Sequence, residues 1–264
     1  MLTFRSIILA VVAVSATALT PAWAQLSSVD VSPDITLGLG AQTAADEDVG
    51  QDNLAGGVVL IDLGAIPSNA DVTLFHRLDN GDRLFGLDIT VELPGSVVAT
   101  PADVVRFDGA TYSIEFDGSA QGVPSGARLD ALSSDNGNLL LSFDTTVVVS
   151  GFAVADEDIV EFNGASFSMV LDGSSAGVPD NVDVDALHFD PESGDLFVSF
   201  DISGTVSGTT FSDEDLLKYN AVGGSWSLAY DGSVLHSDWI AGDLDAAFVT
   251  FLIGFIFQDG FENL

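Results

Sequence analysis

Residues Asp183 to Ser233 read DVDALHFDPESGDLFVSFDISGTVSGTTFSDEDLLKYNAVGGSWSLAYDGS. Leu196, Val198 and Phe200 alternate with Phe197 and Ser199 ahead of Asp201, and Trp226, Leu228 and Tyr230 alternate with Ser225, Ser227 and Ala229 ahead of Asp231. A hydrophobic period of two is the pattern of β-strands. The stretch divides into four of them: Asp183 to Phe189, Asp195 to Asp201, Leu216 to Asn220, and Ser225 to Tyr230. Outside the first residues of the chain no helical period is visible.

The same unit recurs. One aspartate column is Asp34, Asp88, Asp144 and Asp201; a second is Asp48, Asp103, Asp158 and Asp215; a third is Asp62, Asp117, Asp172 and Asp231. The steps from first to second column are 14, 15, 14 and 14 residues, and from second to third 14, 14, 14 and 16. Register is thus kept through four copies. Tyr112, Ile114 and Phe116, then Phe167, Met169 and Leu171, occupy the positions of Trp226, Leu228 and Tyr230. Asn80-Gly81, Asn136-Gly137, Asp108-Gly109 and Asn163-Gly164 fall between runs and suit the positive-φ positions of type I′ hairpins.

Four antiparallel strands repeated about every 55 residues resemble the blades of a β-propeller. The fold expected is an all-β, four-bladed propeller, with an irregular β-sandwich or open barrel as the alternative. The repeats lie approximately at residues 28–70, 71–127, 128–182 and 183–242, inside a single domain over 25–249. The first copy begins at its second strand, because residues 28–48 overlay residues 138–158 without a gap. Its missing first strand recurs at the other end, where Asp243 to Ala247 overlay Asp183 to Leu187. A closing strand over 243–249 would complete the first blade and remove two free edges. Signatures of named blade families are absent: there is no Trp-Asp dipeptide and no Gly-Gly in each copy, and SFDISGT only faintly resembles the sialidase Asp-box.

The ends read differently. Residues 1–24 carry Arg5, an apolar run from Ile7 to Leu19 and a closing Ala22-Trp23-Ala24, as a secretory signal peptide does. That run is shorter than the roughly 20 residues a membrane span needs. Export to a periplasmic or extracellular space as a monomer, with no transmembrane segment after cleavage, is the expectation. Residues 250–264 form an apolar tail in which Phe255 and Phe257 have slipped one position out of phase with Leu141 and Phe143. Its ending, IFQDGFENL, resembles the short DGFE-type tails of secreted bacterial proteins, which implies a sorting or docking element.

With 40 acidic and six basic residues the formal net charge is −34, which excludes a phosphate-binding surface and hence nucleic acid as a partner. There is no cysteine, so neither disulfides nor a thiol nucleophile are available. Of the acids 32 are aspartate, a turn former. Asp46, Asp48, Asp156, Asp158, Asp213 and Asp215, in three Asp-Glu-Asp triplets, are the candidate ligands for Ca²⁺, which prefers oxygen donors. The DxD pairs Asp183/Asp185 and Asp243/Asp245 join them. The competing reading is that aspartates at strand ends close turns on backbone N–H groups. His76 and His188 share one repeat column with Ser133 and Phe248, which a four-bladed ring would set across its axis, while His236 has no visible partner. No Gly-x-Ser-x-Gly, P-loop or dinucleotide fingerprint occurs. The expected function is a non-catalytic binding or structural module for an extracellular carbohydrate, peptide or protein, with Ca²⁺ as the candidate stabilising ion. The alternatives are a carboxylate-dependent glycosidase or lyase and an envelope-associated assembly protein docking through its tail.

Overall fold

The computed structural model of the protein describes residues 26–252. The expected leader and residues 253–264 of the expected tail lie outside them. The first copy supplies β1 (Leu26–Pro33), a hairpin of β2 (Leu37–Leu39) and β3 (Gln42–Ala44), then β4 (Val49–Asp52) and β5 (Val58–Ile61). The second has β6 (Val72–Arg77), β7 (Arg83–Leu87), hairpin β8 (Val91–Leu93) and β9 (Val97–Ala99), β10 (Val104–Phe107) and β11 (Tyr112–Phe116). The third has β12 (Leu129–Asp135), β13 (Asn138–Phe143), hairpin β14 (Val147–Val149) and β15 (Phe152–Val154), β16 (Ile159–Phe162) and β17 (Phe167–Leu171). The fourth has β18 (Val184–Phe189), β19 (Leu196–Phe200), hairpin β20 (Gly204–Val206) and β21 (Thr209–Phe211), β22 (Leu216–Asn220) and β23 (Ser225–Tyr230), and β24 (Leu244–Phe251) ends the described chain.

The four large sheets run β24-β1-β4-β5, β6-β7-β10-β11, β12-β13-β16-β17 and β18-β19-β22-β23, each antiparallel. This is a four-bladed β-propeller. Val29 pairs with Val249 and Leu26 with Phe251, so the last strand is the inner strand of the first blade. That strand runs two residues past the expected boundary at 249. Among the described residues helix enters only as the single turns α1 (Gly173–Ala176) and α2 (Gly232–Leu235) and a 3₁₀ turn at Ser237–Ala241, each too short to announce itself by periodicity. Among the described residues no helix is long and apolar enough to cross a membrane.

The apolar faces of neighbouring blades meet in four clusters rather than one central core. Phe116 and Val123 of the second blade, for instance, pack with Phe143, Val149 and Phe167 of the third. Flat sheets set around a ring of only four leave wide wedges between them, and the small hairpins fill these. Leu39 and Ala44, Leu93 and Ala99, Val149 and Val154, and Val206 and Phe211 each enter the cluster on one side of their own blade. Burying one such Phe stabilises by about 1.5–3 kcal/mol relative to exposure. The third and fourth hairpins turn at Ser150-Gly151 and Ser207-Gly208, where both residues have positive φ, as a type I′ turn requires.

Candidate functional site

The inner strands β6, β12, β18 and β24 pack around the axis. Each carries one irregularity at the same place: pairing runs from Val72 to Leu74, Leu129 to Ala131, Val184 to Ala186 and Leu244 to Ala246, leaving Thr73, Asp130, Asp185 and Asp245 unpaired. A bulged residue leaves the ladder and redirects its side chain. Just before the bulges stand Asp71, Arg128, Asp183 and Asp243. One end of the axis is therefore acidic, relieved by a single arginine that turns outward to Asp144 at 2.9 Å.

Burial dominates the electrostatics at that end. It pushes Asp130 and Asp183 up to about 7, with added repulsion from Asp144 and Asp156 respectively, and Asp71 up to about 7 with repulsion from Asp46 and Asp88. Asp243 rises to about 8 and Asp245 to about 9. Asp185 is likewise raised well above the usual carboxylate range, by burial and by Asp245 and Asp243. It is surrounded by protein yet keeps part of its surface open to solvent, as a group in a narrow throat does. Oxygens of Asp185, Asp243 and Asp245 lie within 4.8 Å of one another.

The structure divides the Asp-Glu-Asp triplets between two tasks. Asp48, Asp158 and Asp215 each accept from the backbone N–H three residues back, at 2.9–3.0 Å. The other oxygen of Asp158 and Asp215 takes the N–H of Gly173 or Gly232. These carboxylates close turns and anchor the third column, where Asp172 and Asp231 cap α1 and α2. A Cβ at Gly173 would meet the Glu157 carbonyl at 2.2 Å, so only glycine fits under this staple. Asp46, Asp156 and Asp213 instead stand at the rim of the acidic end, where they act on Asp71, Asp183 and Asp243. The six are thus not gathered into one cluster. The first column also has a structural role: Asp34, Asp88, Asp144 and Asp201 each accept the N–H that opens an inner strand, at 2.6–2.7 Å.

At the opposite end the column His76, Ser133, His188 and Phe248 closes the axis. The imidazoles stack with centroids 6.3 Å apart, and the edge of Phe248 meets them at 5.1 and 4.7 Å. Burial pulls His76 down to about 4 and His188 to about 3, so both are neutral at pH 7. Beside this plug opens a cleft of about 290 Å³ lined from all four blades, including Arg77, Asn136, Phe189 and Phe248. A second cleft of about 330 Å³, with Phe197, Lys218, Leu228 and Phe251, lies across the Asp190–Ser193 turn.

Three buried carboxylates away from the axis have partners. Asp52 accepts from Tyr230 Oη at 3.2 Å and lies 2.9 Å from His236 Nε2, joining the first blade to the fourth. Sequence reasoning left His236 without a partner because Asp52 is 184 residues away. Asp30 pairs with Arg77, and Asp195 with Lys218 at 2.6 Å.

No family model and no curated protein matches the chain. Among solved structures it is similar to YCF48 bound to D1 peptide, at 12% identity and a TM-score of 0.35, covering 76% of this chain and 53% of that one. It is also similar to the nidogen/laminin complex, at 11% identity and TM-score 0.39, covering 84% and 85%. A third is the extracellular domain of the putative one component system BT4673 from B. thetaiotaomicron, at 11% and 0.33, covering 80% and 29%. The chain thus spans about half or less of the first and third of these. These likenesses are slight, and the assignment of four blades rests on the strand pairing itself.

Proposed function

We propose that the protein is a secreted, non-catalytic binding module that takes a short extended ligand, a peptide or oligosaccharide, at the histidine-bearing end of its axis. The observation that carries this reading is the cleft beside the plug, to which every blade contributes. Together with its neighbour across the Asp190–Ser193 turn it offers aromatic faces, a guanidinium, an ammonium and carboxylates. That mixture suits ligands with both apolar and polar surface, and each volume is near the lower bound of about 300 Å³ for ligand pockets. Binding is favoured over glycoside hydrolysis because the carboxyls that burial raises, as a general acid requires, stand at the opposite end of the axis from the cleft.

The test is a glycan array and a displayed peptide library probed with the purified protein. Pro191→Glu and Leu228→Asp alter exposed positions of the two clefts. Each should weaken captured ligands by about tenfold or more, as loss of one good contact does. Ligands indifferent to both substitutions, or steady release of sugar from a bound glycan, would remove this reading.

A further inference from the structure

Asp245 is 8% exposed and directs its carboxylate at Asp185 and Asp243. Among the described residues no N–H, hydroxyl or basic group serves it; its hydrogen-bonding neighbour is the carboxyl of Asp71, whose Oδ1 is itself buried without a partner. Other aspartates of the repeat are treated differently: the clips at Asp34, Asp88, Asp144 and Asp201 each receive a backbone N–H. A buried carboxylate without a donor is met by a proton or by a counter-ion. Arg128 does not serve as that counter-ion, because its guanidinium is engaged with Asp144.

A second observation comes from the blade junctions. At three of them the backbone bonds across: Val72 N–H to Asp46 O, Leu129 N–H to Pro101 O, and Val184 N–H to Asp156 O. At the fourth, where the last strand meets the fourth blade, Leu244 N–H turns back to its own neighbour, Asp243 Oδ1. Here the chain places Asp185 from β18 opposite Asp243, just ahead of β24, and Asp245 within it. We propose that these three carboxylates hold one calcium-sized divalent cation, which ties the closing strand to its neighbour. An all-oxygen donor set selects a hard cation. Three carboxylates whose oxygens fall within 4.8 Å of one another suit Ca²⁺, which takes several carboxylate ligands in flexible geometry, better than Mg²⁺, which keeps most of its waters and takes only one or two. Solvent reaching Asp185 supplies the remaining ligands. The site is independent of the ligand cleft, which lies at the other end of the axis.

The purified protein, stripped with EDTA and desalted, is titrated calorimetrically with CaCl₂ at pH 7.5 in 150 mM NaCl, with MgCl₂ in parallel. One Ca²⁺ per chain is expected, with a melting temperature that rises with calcium and not with NaCl of equal ionic strength. Asp185→Asn and Asp245→Asn should each weaken Ca²⁺ about tenfold or more, as loss of a charged ligand does. Both variants relieve repulsion between buried carboxylates, so circular dichroism should show them folded. Identical melts in calcium and EDTA would overturn the proposal. So would variants that bind Ca²⁺ like the parent, or Mg²⁺ binding as tightly as Ca²⁺.

Discussion

The two ends of the axis are made by the same four strands, about three residues or roughly 10 Å apart, and they handle buried polarity in opposite ways. At Asp130, Asp185 and Asp245 the strands bulge and gather like charges in a throat that solvent still reaches. At His76, Ser133, His188 and Phe248 they run regularly and pack neutral rings against an aromatic edge. The difference teaches that the bulge decides the character of each end: it aims carboxylates where water or a cation can meet them, while the regular ladder beyond it leaves room only for uncharged rings.

The harshest way to break the comparison is to remove the strand that serves both ends. Deleting residues 243–264 takes Leu244, Ala246, Ala247 and Val249 from two interblade clusters, all at most 2% exposed, and strips β1 of its inner partner. Loss of a cooperative transition in urea is expected. Deleting 253–264 alone should leave the transition in place, and a result showing the reverse would move the structural role to the tail. Next in size is Phe248→Ala, which hollows the plug and should lower unfolding free energy by about 3 kcal/mol in urea titrations.

Proton linkage sharpens the contrast, because the two ends have opposite signs. The histidines' folded values, about 4 and about 3, lie below the ordinary 6.5, so the unfolded chain takes up protons first. Their contribution is intact above pH 6.5 and is lost as pH falls towards 4. The throat aspartates' folded values, from about 7 to about 9, lie above the ordinary 3.8. Their penalty is full above those values and fades as pH falls through them. In EDTA the protein should therefore be most stable between about pH 5 and 6.5. Substituting His188→Phe should shrink the loss at pH 4.5 by about 2 kcal/mol. The opposite sign is expected of Asp245→Asn, which should raise stability in EDTA at pH 8, where the unfolded carboxylate is ionised and the folded one resists ionising, and leave it nearly unchanged at pH 4. Chemical denaturation at each pH checks both, and a common slope for the two variants would show that the ends are not electrostatically separate.

Much of this was legible in the sequence because the repeat keeps its register. The three aspartate columns marked strand ends, and the overlay of Asp243 to Ala247 on Asp183 to Leu187 located the inner strand of the first blade. The blade-filling hairpins were not read, although Ser150-Gly151 and Ser207-Gly208, flanked by Val147, Val149 and Val206, carried their signal; three-residue strands are too short to show a period. The throat was only half legible. Strict alternation gives every second residue the same face, and a one-residue bulge breaks that rule without leaving a mark in a single sequence. The Asp-Glu-Asp triplets drew attention by their density, yet the second aspartate of each is a turn staple with backbone partners, and the deeper site falls to the sparser DxD pairs.

The pairing of Leu26 with Phe251 has a consequence for the order of events in folding. Ser27 Oγ donates to the carbonyl of Thr250, a contact between residues 223 positions apart. Contacts so distant in the chain carry the full entropy of loop closure and form late. Until β24 emerges, β1 presents an unpaired inner edge to whatever other strands are near. A chain that is synthesised from its N-terminus must therefore hold its first blade unfinished through the making of the other three, and the last strand sets the moment at which the ring closes and β1 loses its free inner edge.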